Sequence, residues 1–274
     1  MKKFFGLHPL FFIVGILFFL MGEALIFLIY LSVVVLHELA HAYIADKLGY
    51  NINKIFLLPY GAMLDIKQNF LVPTDEVKVA LAGPVFNFIL AFICIGIWWL
   101  FPSLYAFTDK FVFCNLITGI INLLPCYPMD GGRVLVAKLS QKLKREKALK
   151  ISYIFNYIFS AIFIILFFID LKNAINLSYA LMAVFVFLGT INNKFSGNYS
   201  IIKLENKNKK IYDVNQIMVQ SDMPIYKVYQ AFSPKKFNIV FVEQKNGQIK
   251  LLTEKTFEKY LDIYPFYTKI EDIF

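Results

Sequence analysis

Charge is what this chain lacks most. Asp, Glu, Lys and Arg make up 17% of its 274 residues, against about 25% in an ordinary soluble protein. They are missing in blocks: none occurs between Lys3 and Glu23, Lys78 and Asp109, Lys110 and Asp130, Lys150 and Asp170, or Lys172 and Lys194. Each gap has room for the ~20 apolar residues that cross a hydrocarbon core. With 58% hydrophobic residues and 30 Phe, the chain has too much apolar surface for a soluble domain to hide, and the class that remains is an integral membrane protein. Cysteine is scarce as well. Cys94 and Cys114 lie inside apolar runs and Cys126 just past one, which excludes a disulfide framework. No small-residue cleavage site follows the first apolar run, although Lys2 and Lys3 precede it. The run ends in LMGEAL and enters the next, so it reads as a retained helix and not as a cleaved signal peptide. No internal repeat or low-complexity tract is present.

What is there begins with the segment Glu23–Lys47, which joins the five gaps to give about six spans, an α-helical polytopic membrane protein. The net charge of +9 falls unevenly around them. Lys2 and Lys3, then Lys47, Lys54, Lys67 and Lys78, then the basic stretch from Arg133 to Lys150 occupy alternate loops. The loops between these hold little more than Glu23, Asp109, Lys110, Asp170 and Lys172. By the positive-inside rule both termini and the large loops are expected to be cytoplasmic. The basic 138–150 stretch reads as an orientation signal touching anionic lipid, with no nucleic-acid partner. After Lys194 the polarity becomes ordinary. The expected organisation is a membrane domain over 1–194, a linker over 195–210 containing ENKNKK, and a small cytoplasmic α/β domain over 211–274. That tail reads as strand, helix, hairpin turning at Asn246-Gly247, and a helix with Thr253 at its N-cap.

The chemistry sits in LHELAHAYIADKLG, Leu36–Gly49. His37 and His41 are four apart, so both imidazoles share one helix face, a spacing that suits two ligands of one tetrahedral Zn²⁺. Glu38 follows the first ligand and can take a proton from a water beside the metal, later passing it to a leaving amine. Ionisable groups in a spanning helix are costly enough to need such a reason. A catalytic zinc normally takes three protein ligands. His8 comes too early near the start of the first span, Asp46 lies five residues past His41 and off the ligand face, and Asp65 sits in the loop without a supporting pattern, while Cys126 is chemically able. Asp130 has the better claim by topology: the second and fourth spans run in the same direction, and Asp130 ends the fourth in NLLPCYPMDGG, at the depth of the histidines. Pro125 and Pro128 break that helix and Gly131-Gly132 allow a tight turn, irregular backbone that is tolerated at membrane depth only where protein or a wet cavity shields it.

HELAH in a spanning helix, LAGPVFN (Leu81–Asn87) in the next and NLLPCYPMDGG (Asn122–Gly132) ending a later one resemble the site-2 protease family of intramembrane zinc metalloproteases. The motifs come in the family's order across residues 30–135, and LHP (Leu7–Pro9) and IFLLPYGAM (Ile55–Met63) make the sporulation members the nearest likeness. The resemblance implies His37, His41 and Asp130 as zinc ligands, Glu38 as general base, and Asn122 beside the site, orienting substrate or a carbonyl oxygen. Asn87 belongs to a motif near the site. Many members of the family carry a proline where this chain has Tyr127. The tail resembles a single CBS module, which implies ATP or another adenine nucleotide as a ligand, with Asp213, Asn215 and Thr253 the places to seek contacts, and a homo-oligomer to complete the module. The implied substrate is a membrane-associated precursor, pro-sigma-K, cleaved during sporulation in the membrane around the forespore and gated by inhibitory membrane proteins. Two alternatives stand beside it: a site-2-type protease acting on other membrane-anchored regulators, and a non-proteolytic membrane metal-binding protein.

Overall fold

The computed structural model describes residues 5–7, 15–16, 18–20, 22–48, 50, 52–58, 61–66, 72–170, 177–191, 213–232 and 236–274. It divides into two compact units. One holds Met1–Lys67, Val77–Pro125 and Met129–Val134; the other holds Gln68–Glu76, Cys126–Pro128 and Leu135–Phe274.

The first unit is built on three long helices, α1 (Ala24–Lys47), α2 (Pro73–Leu100, from Val77) and α3 (Tyr105–Asn122, after a short 3₁₀ turn at Pro102–Leu104), and the start of α4 (Asp130–Ser140). Its surface is inverted relative to a soluble protein. Trp99 and Phe107 are 87% and 79% exposed while Asn87 and Asn115 are fully buried, the arrangement expected when the outer solvent is hydrocarbon. Four helices among the described residues are long and apolar enough to cross a membrane: Ala24–Lys47, Pro73–Leu100, Pro102–Asn122 and Arg145–Asp170. A fifth, Leu177–Thr190, is apolar but shorter. Most of the expected first span, His8 included, lies outside the described residues.

One element of this unit was not expected. Between α1 and α2, where the sequence reads as a loop, a three-stranded sheet forms from β1 (Phe5–Leu7), β2 (Ile52–Leu58) and β3 (Gly61–Ile66), with β1 parallel and β3 antiparallel to β2. The signal was present: Pro59-Tyr60-Gly61, a breaker cluster, separates two short apolar runs.

In the second unit, α5 (Arg145–Asp170) and α6 (Leu177–Ile191) pair, and Ser160 Oγ donates to the Ala183 carbonyl at 3.1 Å. At the start of α5, Arg145 holds Glu76 through two N–H···O bonds of 2.8 and 3.0 Å. The tail then follows the expected β-α-β-β-α order: β4 (Val214–Gln220), α7 (Ile225–Gln230), β5 (Phe237–Glu243), β6 (Ile249–Thr253) and α8 (Glu254–Ile263). β4 runs parallel and β6 antiparallel to β5. Gly247 takes a φ of 77° in the hairpin turn, a conformation open to glycine without strain. Ile225, Val228, Val240, Phe257, Leu261 and Phe266 form the core of the tail, joined by Val72 from the residues just before α2. Thr253 stands at the N-cap of α8 as expected, but its hydroxyl pairs with that of Thr256 at 3.0 Å and caps no backbone N–H.

Candidate metal centre

An unbroken run of helix formers and apolar residues carries α1 past Val35, so the residues four apart in HELAH stack one turn from each other. The ring centroids of His37 and His41 are 4.6 Å apart and nearly perpendicular, and their Nε2 atoms lie 3.0 Å apart. Both point at one carboxylate oxygen. Asp130 Oδ2 is 3.0 Å from His37 Nε2 and 3.1 Å from His41 Nε2. The three donor atoms therefore make a triangle with nearly equal edges. Tetrahedral zinc with ligands at about 2.0–2.1 Å has edges of about 3.3 Å, and two imidazole nitrogens with one carboxylate oxygen are a donor set zinc favours. All three side chains are buried, and so is Glu38. The possible ligand atoms of Glu38, His37 and His41 lie within 4.8 Å of one another.

The surroundings fit an ion. His41 Nδ1 donates to the Val79 carbonyl of α2 at 2.6 Å; with the proton fixed there, the Nε2 lone pair is left for a metal. Four residues on, Gly83 presses its Cα against the pair. A Cβ at that position would stand 2.5 Å from His41 Nε2 and 2.6 Å from His37 Nε2, so any side chain would fill the space at which the ligand atoms converge. The fully buried carboxamide of Asn87 lies beside the His37 ring. Among the described residues, neither its two side-chain polar atoms nor His37 Nδ1 meets hydrogen-bond geometry with a partner. Arg133 Nη1 lies 3.4 Å from Asp130 Oδ1, which leaves Oδ2 to the histidines. Gly131 must be glycine for a steric reason: a Cβ there would overlap the Leu123 and Leu124 carbonyls as the chain doubles back after α3.

The other expected residues go elsewhere. Asn122 ends α3 with its amide donating to the Thr118 carbonyl at 3.0 Å, one turn back, and makes no hydrogen bond to the histidine–aspartate cluster. The buried Cys126 thiol approaches the Phe155 carbonyl at 4.0 Å. Asp65 stands opposite Lys54 in the backbone register of β2 and β3. In the tail, Asn215 gives its amide to the Ala231 carbonyl and to Asn238 Oδ1. The residues that sequence reasoning missed, Val79, Gly83 and Arg133, act through a backbone carbonyl, an absent side chain and a charge counted for topology. The glycine inside LAGPVFN was the one visible signal.

The profile of peptidase family M50 matches residues 24–112 and 99–166. A zinc metalloprotease of Methanocaldococcus jannaschii is 34% identical over 212 residues, 74% of this chain and 59% of that protein. Stage IV sporulation protein FB of Bacillus subtilis is 26% identical over 257 residues, 90% of this chain and 87% of that protein. Among solved structures, the site-2 protease from Methanocaldococcus jannaschii superposes with a TM-score of 0.54 at 30% identity, covering 76% of this chain and 96% of that one.

Proposed function

Since the chain belongs to peptidase family M50, the site-2 protease family, we propose that His37, His41 and Asp130 hold a catalytic zinc and that Glu38 serves as general base in hydrolysing a peptide bond of a membrane-associated protein. The observation that carries this reading is the near-equilateral triangle of two imidazole nitrogens and one carboxylate oxygen. Zinc held there supplies Lewis-acid chemistry, polarising a carbonyl and bringing the acidity of water into the neutral range. This chain's own residues do the rest. Glu38, buried beside the ligands and not needed as one, takes the proton of the attacking water and returns it to the leaving amine nitrogen. Val79 holds the His41 proton on Nδ1, and Gly83 keeps the volume beside the imidazoles free of side chain.

The substrate of this reading is the membrane-associated precursor pro-sigma-K, cut near the cytoplasmic face with both termini of the protease cytoplasmic. Similarity to the sporulation protein along 90% of the chain supports it. The broader reading, cleavage of other membrane-anchored regulators, is favoured by the higher identity of 34% to the archaeal zinc metalloprotease. Co-expression of the full chain with pro-sigma-K and with unrelated anchored precursors, followed by N-terminal sequencing of any shortened product, separates the two. A new N-terminus on pro-sigma-K alone supports the first, and products from several precursors support the second. Cleavage that persists undiminished in Glu38→Gln overturns both.

A further inference from the structure

An asparagine in the middle of an apolar helix is expensive unless its amide is used. Asn156 lies halfway along α5, fully buried, and every part of its carboxamide is committed. Its Oδ1 accepts the Tyr127 N–H at 2.8 Å. Its Nδ2 donates to the Tyr127 carbonyl and, at 3.1 Å, to the Val186 carbonyl of α6. One side chain thus grips both polar ends of a single residue and ties them to a neighbouring helix. The opposite wall is α6. A Cβ on Gly189 would overlap the Tyr127 carbonyl oxygen and press on Pro128 Cδ, so the backbone of α6 supports the same peptide that Asn156 holds.

Tyr127 lies in the stretch where α3 has ended and α4 has not begun. Two breakers, Pro125 and Pro128, keep this stretch out of both helices. At membrane depth such irregular backbone is tolerated where protein or a wet cavity satisfies its polar groups. It leads, three residues later, to Asp130. We propose that Asn156, with Gly189 against the same peptide, is a positioning residue for the metal centre: α5 and α6 hold the Tyr127 backbone and so fix where the chain delivers Asp130. The inference rests on the reading of Asp130 as a zinc ligand. It assigns to α5 and α6, which carry none of the HELAH or NLLPCYPMDGG residues, a specific task in the reaction. The Oδ1 bond also depends on residue 127 having an N–H, which tyrosine supplies and a proline there would not.

The test uses full-length protein purified in detergent, with zinc affinity measured by chelator competition and cleavage of a co-purified precursor as a second readout. Asn156→Leu, nearly isosteric, is expected to weaken zinc by at least about 10-fold and to lower kcat with KM within about threefold, because a displaced ligand alters the metal centre and not the substrate contacts. Ser160→Ala removes a hydrogen bond between the same two helices without touching residue 127, and is expected to leave zinc affinity within about twofold of the parent. Asp130→Asn fixes the scale. If it leaves zinc unchanged, the ligand reading itself fails. If Asp130→Asn weakens zinc but Asn156→Leu does not, the positioning role alone is overturned. Equal losses in Ser160→Ala and Asn156→Leu overturn it too, since general helix packing would then account for both. Should Asn156→Leu fail to fold, Gly189→Ala decides: weaker zinc in a folded protein supports the proposal, and parental affinity overturns it.

Discussion

Glu38 is a sequence neighbour of His37 and, in the proposed reading, has a different task, that of a base. Both are buried near the converging Nε2 atoms, yet the triangle is complete without the glutamate. Replacing Glu38 with Gln keeps the shape and removes the base. The expected result is one bound zinc per chain with cleavage reduced about 10²–10⁴-fold, read by metal analysis of the purified variant beside a timed cleavage assay. Loss of zinc in Glu38→Gln would instead make the glutamate a ligand. Gly83 gives the complementary prediction. A methyl at 2.5–2.6 Å from the two ligand nitrogens leaves no room for an ion, so Gly83→Ala should lose zinc at least about 10-fold while remaining membrane-inserted and helical by circular dichroism. The two differ in how readable they are. HELAH is legible because its chemistry lies in side chains at helical spacing. Gly83 matters because α2 packs against α1, a contact that no local pattern around an apolar glycine announces.

The same divide holds for whole elements. Apolar stretches free of charge marked most of α2, α3 and α5, since lipid imposes that composition directly, and α1 was the apolar segment beside them that carries HELAH. The tail was legible in its order because Asn246-Gly247 and alternating apolar residues are local signals. In the sheet of β1, β2 and β3 the β2–β3 hairpin had a local signal, but the place of β1 did not, because it pairs with a strand far along the chain and register of that kind is set by tertiary contact. Asp130, 89 residues from His41, was reachable only by following the direction of each span. Element starts carry their own prediction. Glu76 in the first turn of α2 and Arg145 opening α5 form a bidentate pair whose side chains are only 7% and 10% exposed. Removing one partner strands the other charge, so Glu76→Gln should destabilise the protein by about 3 kcal/mol. A thermal-unfolding series of Glu76→Gln, Arg145→Met and the double variant checks it: the double variant should be less destabilised than the sum of the two singles.

Across the whole molecule, two linkages tie stability to conditions. One is local to the tail. Glu254 Oε2 accepts from the Asn238 backbone N–H at 3.1 Å, and its Oε1 has no hydrogen-bond partner among the described residues. Burial raises its carboxyl above the usual range, against the opposing pull of the Asn238 hydrogen bonds. Because the folded value is the higher one, the stabilisation from protonating Glu254 is complete below the unfolded value of about 4.3 and is lost as pH rises through the folded value. Glu254→Gln, which carries no charge at any pH, should therefore gain in melting temperature relative to the parent as pH rises from 4.5 to 7.5; a difference that is constant with pH would contradict this. The other linkage is the metal. A triangle of buried donors formed by side chains from α1 and from the start of α4 exists only in the folded chain, so in the proposed reading zinc would bind the native state and stabilise it by mass action, about 2.7 kcal/mol at a free concentration 100 times the dissociation constant. Chelation should then lower the melting temperature of the parent in detergent, and added zinc should restore it. The same cycle in His41→Ala should move the melting temperature little, because its site is already broken. Glu38→Gln should respond to chelator as the parent does, although its cleavage is expected to be strongly reduced. A chelator response equal in the parent and in His41→Ala would mean that the stabilising metal sits elsewhere. A response present in the parent, lost in His41→Ala and kept in Glu38→Gln separates holding the metal from using it.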